Sequence, residues 1–265
     1  MTVVGRYCSN DTNECYQVME ITNNTDEATT HTNTQHWRID HEKIASQHAA
    51  WLITSPFLFG AIQLNANEQS VSTKQSVLIV GLGGGSLDMF LYSKFRQQAS
   101  EFSKANDWFG VVEDSTRRTL IQDGLEGIKE AQRRGEQYNV VFLDACHPVS
   151  LGQEDELLCP VPSFLALETL NAIRAFVVNV LARVNKKTIT DEKEREKLRI
   201  MERQLMQVFP VCTSVGMIET WNYVITCLPY TIPADELHER QTEWKRNRHA
   251  LMQQLNFPPE FTHIY

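Results

Sequence analysis

Two carboxylates and one glycine-rich turn are the residues of this chain best suited to chemistry. Asp144 ends the apolar run Asn139-Val140-Val141-Phe142-Leu143, and Asp123 follows a shorter one, Thr119-Leu120-Ile121, with Gly124 directly behind it. An acid at the carboxyl end of a buried parallel strand faces the crevice in which open α/β sheets bind their ligands. There it can accept from an amino group or hold a cation. The third feature is Val77-Leu78-Ile79-Val80 followed by Gly81-Leu82-Gly83-Gly84-Gly85. Glycine lets the backbone turn sharply and lets a ligand approach with no Cβ in the way. A helix starting near Ser86 points unpaired N–H groups and a positive dipole end at the same place.

The dinucleotide spacing G-x-G-x-x-G is not met: counted from Gly81 its third position is Ser86, and counted from Gly83 it is Asp88. No P-loop lysine follows the glycines either. The glycines fall instead as Gly81-x-Gly83-x-Gly85. A glycine turn that only joins a strand to a helix is the plainer alternative, and Asp123 reads also as an ordinary helix cap.

To position these residues the chain must alternate strand and helix, and from Val77 onward it does. Helical spacing of Leu87, Phe90, Leu91, Phe95 and Phe102 predicts one long helix from Ser86 to Ala105. Thr119–Ile121 reads as a strand leading to Asp123. Further helices are expected over Leu125–Arg134, closed by Gly135, from Ser163 to about Arg174, from about Thr190 to Pro210, and over Ala234–Leu255. Asn139–Leu143 and Phe176–Val180 are buried strands, and Val215–Ile218 with Tyr223–Cys227 form a hairpin. Upstream, Cys15–Ile21 has strand character and Thr22–Gln35 reads as an exposed loop. A helix from Ile44 reaches about Thr54 before Pro56 stops it. The fold class is α/β: a Rossmann-like, mostly parallel sheet with helices on both faces and an antiparallel edge hairpin. Residues 1–60 read as an N-terminal extension and 61–265 as the Rossmann-like domain.

Composition narrows the partners. With 25 Lys and Arg against 33 Asp and Glu, the formal charge of −8 argues against a nucleic-acid binder, which would show a basic face. No apolar run is long enough to cross a bilayer. The start, Met1-Thr2-Val3-Val4-Gly5-Arg6-Tyr7, lacks the pattern of a secretory leader, so a cytoplasmic location is expected. The six cysteines (8, 15, 146, 159, 212 and 227) contain no C-x-x-C pair, imply no metal site, and read as buried thiols in a reducing compartment.

Taken in order, VLIVGLGGG, Trp108-Phe109-Gly110, Gln122-Asp123-Gly124-Leu125, Phe142–Pro148, Cys159–Phe164 and Phe176–Val180 resemble the spermidine-synthase-like S-adenosylmethionine-dependent methyltransferases. The resemblance covers about Ile39 to Tyr230 and is nearest to the branch that methylates a lysine of translation elongation factor 1-alpha. It implies S-adenosylmethionine as cofactor and a protein substrate, a translation factor being the candidate partner. Gly81, Gly83 and Gly85 would face the cofactor. Asp123 would accept the adenine amino group, Gly124 would make room for the ring, and Asp144 would be the catalytic residue beside the sulfonium and the acceptor amine.

The pattern departs from that family in two places. The family has a second strand, ending in an acid for the ribose hydroxyls, before its Trp-Phe-Gly segment. The long helix expected here leaves no room for it, and Glu113 within Val111–Asp114 is the substitute on offer. The passage from helix to strand at Ile173–Phe176 lacks turn residues. These two gaps motivate a second reading, a binding protein that keeps the fold without turnover. A third is aminopropyl transfer, whose enzymes carry Asp-x-x-Asp-Pro for a polyamine. Here the segment is Asp144-Ala145-Cys146-His147-Pro148, so a di-cationic amine would lose a charge partner.

Overall fold

The computed structural model describes residues 2–8, 15–22, 42–44, 46–63, 75–81, 85–95, 99–100, 118–146, 157–171, 173, 176–182, 192–217 and 222–262. Strands β1 (Thr2–Cys8) and β2 (Cys15–Thr22) pair antiparallel as a sheet of their own. Then follow α1 (Gln47–Leu58), β3 (Gln75–Val80), α2 (Ser86–Phe95), β4 (Ala99–Ser100) and α3 (Gly124–Arg133). Next come β5 (Val140–Leu143), β6 (Leu157–Cys159), α4 (Leu167–Leu170) and β7 (Phe176–Ala182). The described chain closes with α5 (Glu192–Leu205), β8 (Val211–Gly216), β9 (Asn222–Leu228) and α6 (Ala234–Gln254).

The main sheet has the order β4-β3-β5-β7-β9-β8, with β6 paired to β7 off that path. β4, β3, β5 and β7 run parallel, and β9 and β8 add an antiparallel hairpin at one edge, as the sequence predicts. Side chains on a strand alternate between faces, so a strand covered on both sides is apolar throughout. β5 is the clearest case. Val140 and Phe142 join a core with α1, α2 and α6 on one face, while Val141 and Leu143 join a core with α3, α4 and α5 on the other. Helices therefore cover both faces, and the carboxyl ends of β3 and β5 lie side by side: Val80 pairs with Leu143.

Several expected elements differ. The helix after the glycine turn ends at Phe95, and Ala99–Ser100 forms a short strand parallel to the start of β3, with Ser76 opposite Ser100. The second strand is thus present, only two residues long; apolar spacing through Phe102 concealed it. Thr119–Ile121 is not a strand, and Ile121 is 81% exposed. The helix expected to reach Arg174 breaks into a 3-10 turn at Pro162–Leu165 and the four-residue α4. Asn171 caps α4, three residues before the expected Arg174; residues 174 and 175, where the turn looked missing, lie outside the described residues. Pro56 lies inside α1. The hydroxyls of Thr54 and Ser55 donate to the Ala50 and Trp51 carbonyls at 2.7 Å, and Ala61 N donates to the Pro56 carbonyl at 2.8 Å. The final turn holds through these bonds without the donor that proline lacks. Strand β8 begins four residues before the expected Val215.

Candidate active site

Of the expected site residues, Gly81 and Asp144 follow directly on the paired ends of β3 and β5. Gly81 follows β3 with φ +91°, in the left-handed region that favours glycine. A Cβ there would fall on the Asp144 carbonyl and 2.7 Å from Ala145 N. The first glycine is therefore fixed by close backbone packing of the β3 and β5 ends, which brings the turn against Asp144. Gly85, buried with φ +74°, opens α2, and its carbonyl accepts from Met89 N at 2.8 Å. Gly83, Glu113 and His147 lie outside the described residues.

Asp123 is exposed and caps α3: Oδ1 accepts from Leu125 N at 2.9 Å and Glu126 N at 3.2 Å. The plain capping role holds, and both cap bonds use one oxygen, so Oδ2 has no part in the cap. Gly124 follows as the first residue of α3, and a Cβ on it would stand 2.7 Å from Val80 Cγ1 and 3.0 Å from Phe164 Cζ. The space over Gly124 in that direction belongs to protein side chains; the glycine lets the 3-10 turn press Phe164 onto the start of α3.

Asp144 is half-buried at the end of β5, its N–H donating to the Val80 carbonyl at 2.9 Å. The next residues are held in place twice. Val161 N donates to the Ala145 carbonyl at 3.1 Å, and Cys146 and Cys159 form a disulfide. A second disulfide joins Cys212 and Cys227, opposite one another on β8 and β9. These pairs stand where the sequence reading expects buried thiols; the β8–β9 register brings Cys212 to Cys227, and the approach of the chain after β5 to β6 brings Cys146 to Cys159. Cys146 Sγ lies 4.0 Å from Asp144 Oδ1; a disulfide sulfur has no proton to donate, so this is a contact.

One residue here carries no signal in the sequence. His48, in the first turn of α1, is half-buried, and its Nδ1 is sealed from solvent with no hydrogen-bond partner among the described residues. Burial pushes the imidazole below its ordinary value of 6.5, while the Asp144 carboxylate pulls it back up. The ring is thus held neutral near pH 7, within electrostatic reach of Asp144. Nothing in the local pattern around His48 marks it, because packing of α1 on the sheet decides what it meets.

A mostly parallel sheet covered by helices on both faces and closed at one edge by an antiparallel hairpin is a Rossmann-like α/β fold. Human methyltransferase-like protein 13 in complex with SAH has this fold: its crystal structure superposes with a TM-score of 0.57 at 22% identity, covering 77% of this chain and 93% of that one. In sequence the chain is similar to the eEF1A lysine and N-terminal methyltransferase homolog of Drosophila melanogaster, 27% identical over 235 residues, or 83% of this chain and 32% of the relative. The eEF1A lysine and N-terminal methyltransferase of Xenopus laevis is 29% identical over 171 residues, 58% of this chain and 23% of its own length. The chain spans about a third or less of these relatives. No protein-family model matches it. No described helix is long and apolar enough to cross a membrane.

Proposed function

We propose that the chain is an S-adenosylmethionine-dependent methyltransferase acting on a protein lysine, with eEF1A, the substrate named for its relatives, as the first acceptor to try. Residues 61–265 would be the methyltransferase domain and 1–60 an extension that lends α1 to its core; a cytoplasmic location goes with a translation-factor substrate. The observation carrying this reading is the packing of Gly81 against Asp144 at the paired ends of β3 and β5, with Gly124, next to Asp123, set against Val80 Cγ1. The residues present fit the cofactor. Asp123 keeps Oδ2 for an amino group while Oδ1 caps α3, and Ile121 leaves an apolar side chain in solvent two residues away, suited to a nucleobase. Gly85 and Ser86 begin a helix whose N-terminal amides can meet a carboxylate.

When bound, S-adenosylmethionine supplies a methyl group on a cationic sulfur. The chain contributes position and exclusion of water more than covalent chemistry. Asp144 attracts a lysine ammonium into the crevice, and the clamp of Ala145 and Cys146 onto Cys159–Val161 holds the carboxylate in place. Isothermal titration with S-adenosylhomocysteine tests the cofactor claim, and transfer of a labelled methyl to purified eEF1A, lost in Asp144→Asn, tests the reaction. Absence of heat at high protein concentration counts against the whole reading. Binding without transfer favours the fold kept for binding alone.

A further inference from the structure

A carboxylate recognises an amino group only while its oxygen is held within hydrogen-bond distance, and the bond weakens steeply as the geometry drifts. Asp123 is exposed, and its cap bonds run to the first turn of α3. Where Oδ2 stands is therefore decided by where that turn stands. We propose that Phe164 is the positioning residue for it: the ring, packed on Gly124, sets where Asp123 presents Oδ2 to the adenine amino group. The proposal rests on the reading of the chain as an S-adenosylmethionine-dependent methyltransferase.

Three observations carry it. Gly124 lies outside the left-handed region, so its conformation suits any residue, and what keeps a side chain off it is contact. A Cβ would stand 2.7 Å from Val80 Cγ1, 3.0 Å from Phe164 Cζ and 3.4 Å from Phe164 Cε1. The tip of the ring thus meets the backbone of the residue next to Asp123. Phe164 is itself immobilised, buried in the core that holds Val80 and Leu143. Its mount is tied to the segment of the other carboxylate. Phe164 N donates to the Val161 carbonyl at 3.0 Å, and Val161 N donates to the carbonyl of Ala145, next to Asp144, at 3.1 Å. Asp144 N donates in turn to the Val80 carbonyl at 2.9 Å. Contacts therefore close a circuit from Val80 through Asp144, Ala145, Val161, Phe164 and Gly124 back to Val80. A close-packed interior passes a displacement on instead of absorbing it, so a change at the ring tip reaches Asp123.

The test reads a ratio of two affinities by titration: S-adenosylhomocysteine over its analogue with hydrogen in place of the adenine amino group. Leucine ends at its Cδ atoms, so Phe164→Leu removes the two ring atoms nearest Gly124 and fills most of the remaining space. Methionine is long and adaptable enough to keep a heavy atom there. Wild type prefers S-adenosylhomocysteine about tenfold, the worth of one hydrogen bond to a charged group. Phe164→Leu lowers that preference to about threefold or less, and Phe164→Met holds it within about twofold of wild type. In the Asp123→Asn background Phe164→Leu leaves the ratio unchanged. A loss of packing alone would weaken both ligands equally and not move the ratio at all. An unchanged ratio in Phe164→Leu, an equal fall in Phe164→Met, or a wild type with no preference overturns the proposal. Failure of the wild type to bind S-adenosylhomocysteine at all removes the methyltransferase reading itself, and that is seen before any variant is made.

Discussion

Asp123 shows how one side chain can serve structure and ligand together. Its Oδ1 satisfies two amides at the start of α3, which would otherwise lack partners at a helix N-terminus. Loss of such a cap costs about 1 kcal/mol. Its Oδ2 is the atom proposed to accept the adenine amino group. The two roles separate by substitution. Asp123→Ala should lose both, lowering the urea midpoint and weakening S-adenosylhomocysteine. Asp123→Asn keeps a carbonyl oxygen for the cap but presents an amide donor to the adenine. It should hold its midpoint and bind S-adenosylhomocysteine roughly tenfold more weakly, about 1.4 kcal/mol by titration. Equal binding by Asp123→Asn and wild type would leave the residue a cap and nothing more.

Among the elements, α1 does the most to join the ends of the chain to the site. Trp51 is fully buried in its centre, and its indole N–H donates to the Phe261 carbonyl at 2.9 Å in the C-terminal 3-10 turn. The Arg248 guanidinium of α6 lies 5.5 Å from the ring centroid. Trp51→Phe keeps most of the apolar volume and leaves that carbonyl the longer bond from Gln47 Nε2 at 3.3 Å, a loss of about 0.5–1.5 kcal/mol in urea unfolding. Elements of this kind differ in how far the sequence exposes them. β5 and the Val77–Val80 run of β3 are legible because strands covered on both faces are apolar without interruption. Edge strand β8 is only partly buried, so Val211-Cys212-Thr213-Ser214 carries little apolar signal and its start was misplaced. β4 offers two residues, too few for any period. Asp123, Asp144 and Gly81 stood out because strand ends and glycine turns leave local marks, whereas His48 owes its place to packing between elements distant in sequence.

At the scale of the whole molecule the cysteines and the proposed compartment pull in opposite directions. Each described disulfide closes a short loop, with separations of 13 and 15 residues. Loops of that size contribute about 3 kcal/mol each by restricting the unfolded chain, which is large beside a net stability of about 5–15 kcal/mol for a typical domain. A reducing cytoplasm keeps such thiols reduced, so a cytoplasmic methyltransferase must fold and bind its cofactor without either bridge. The sheet supplies the means: Cys227 sits in a fully buried stretch of β9 that is paired to strands on both sides, and Val161 N still holds the Ala145 carbonyl when the Cys146 bridge is open. Treatment with a phosphine reductant should therefore lower the urea midpoint while leaving S-adenosylhomocysteine affinity within about threefold, roughly 0.7 kcal/mol. Alkylation of cytoplasmic extract after denaturation, with no reductant added, should label Cys146, Cys159, Cys212 and Cys227, the fully buried Cys159 and Cys227 included. Loss of cofactor binding on reduction, with all four cysteines protected from alkylation in extract, would instead assign the protein to an oxidising compartment and remove a cytoplasmic translation factor as its acceptor.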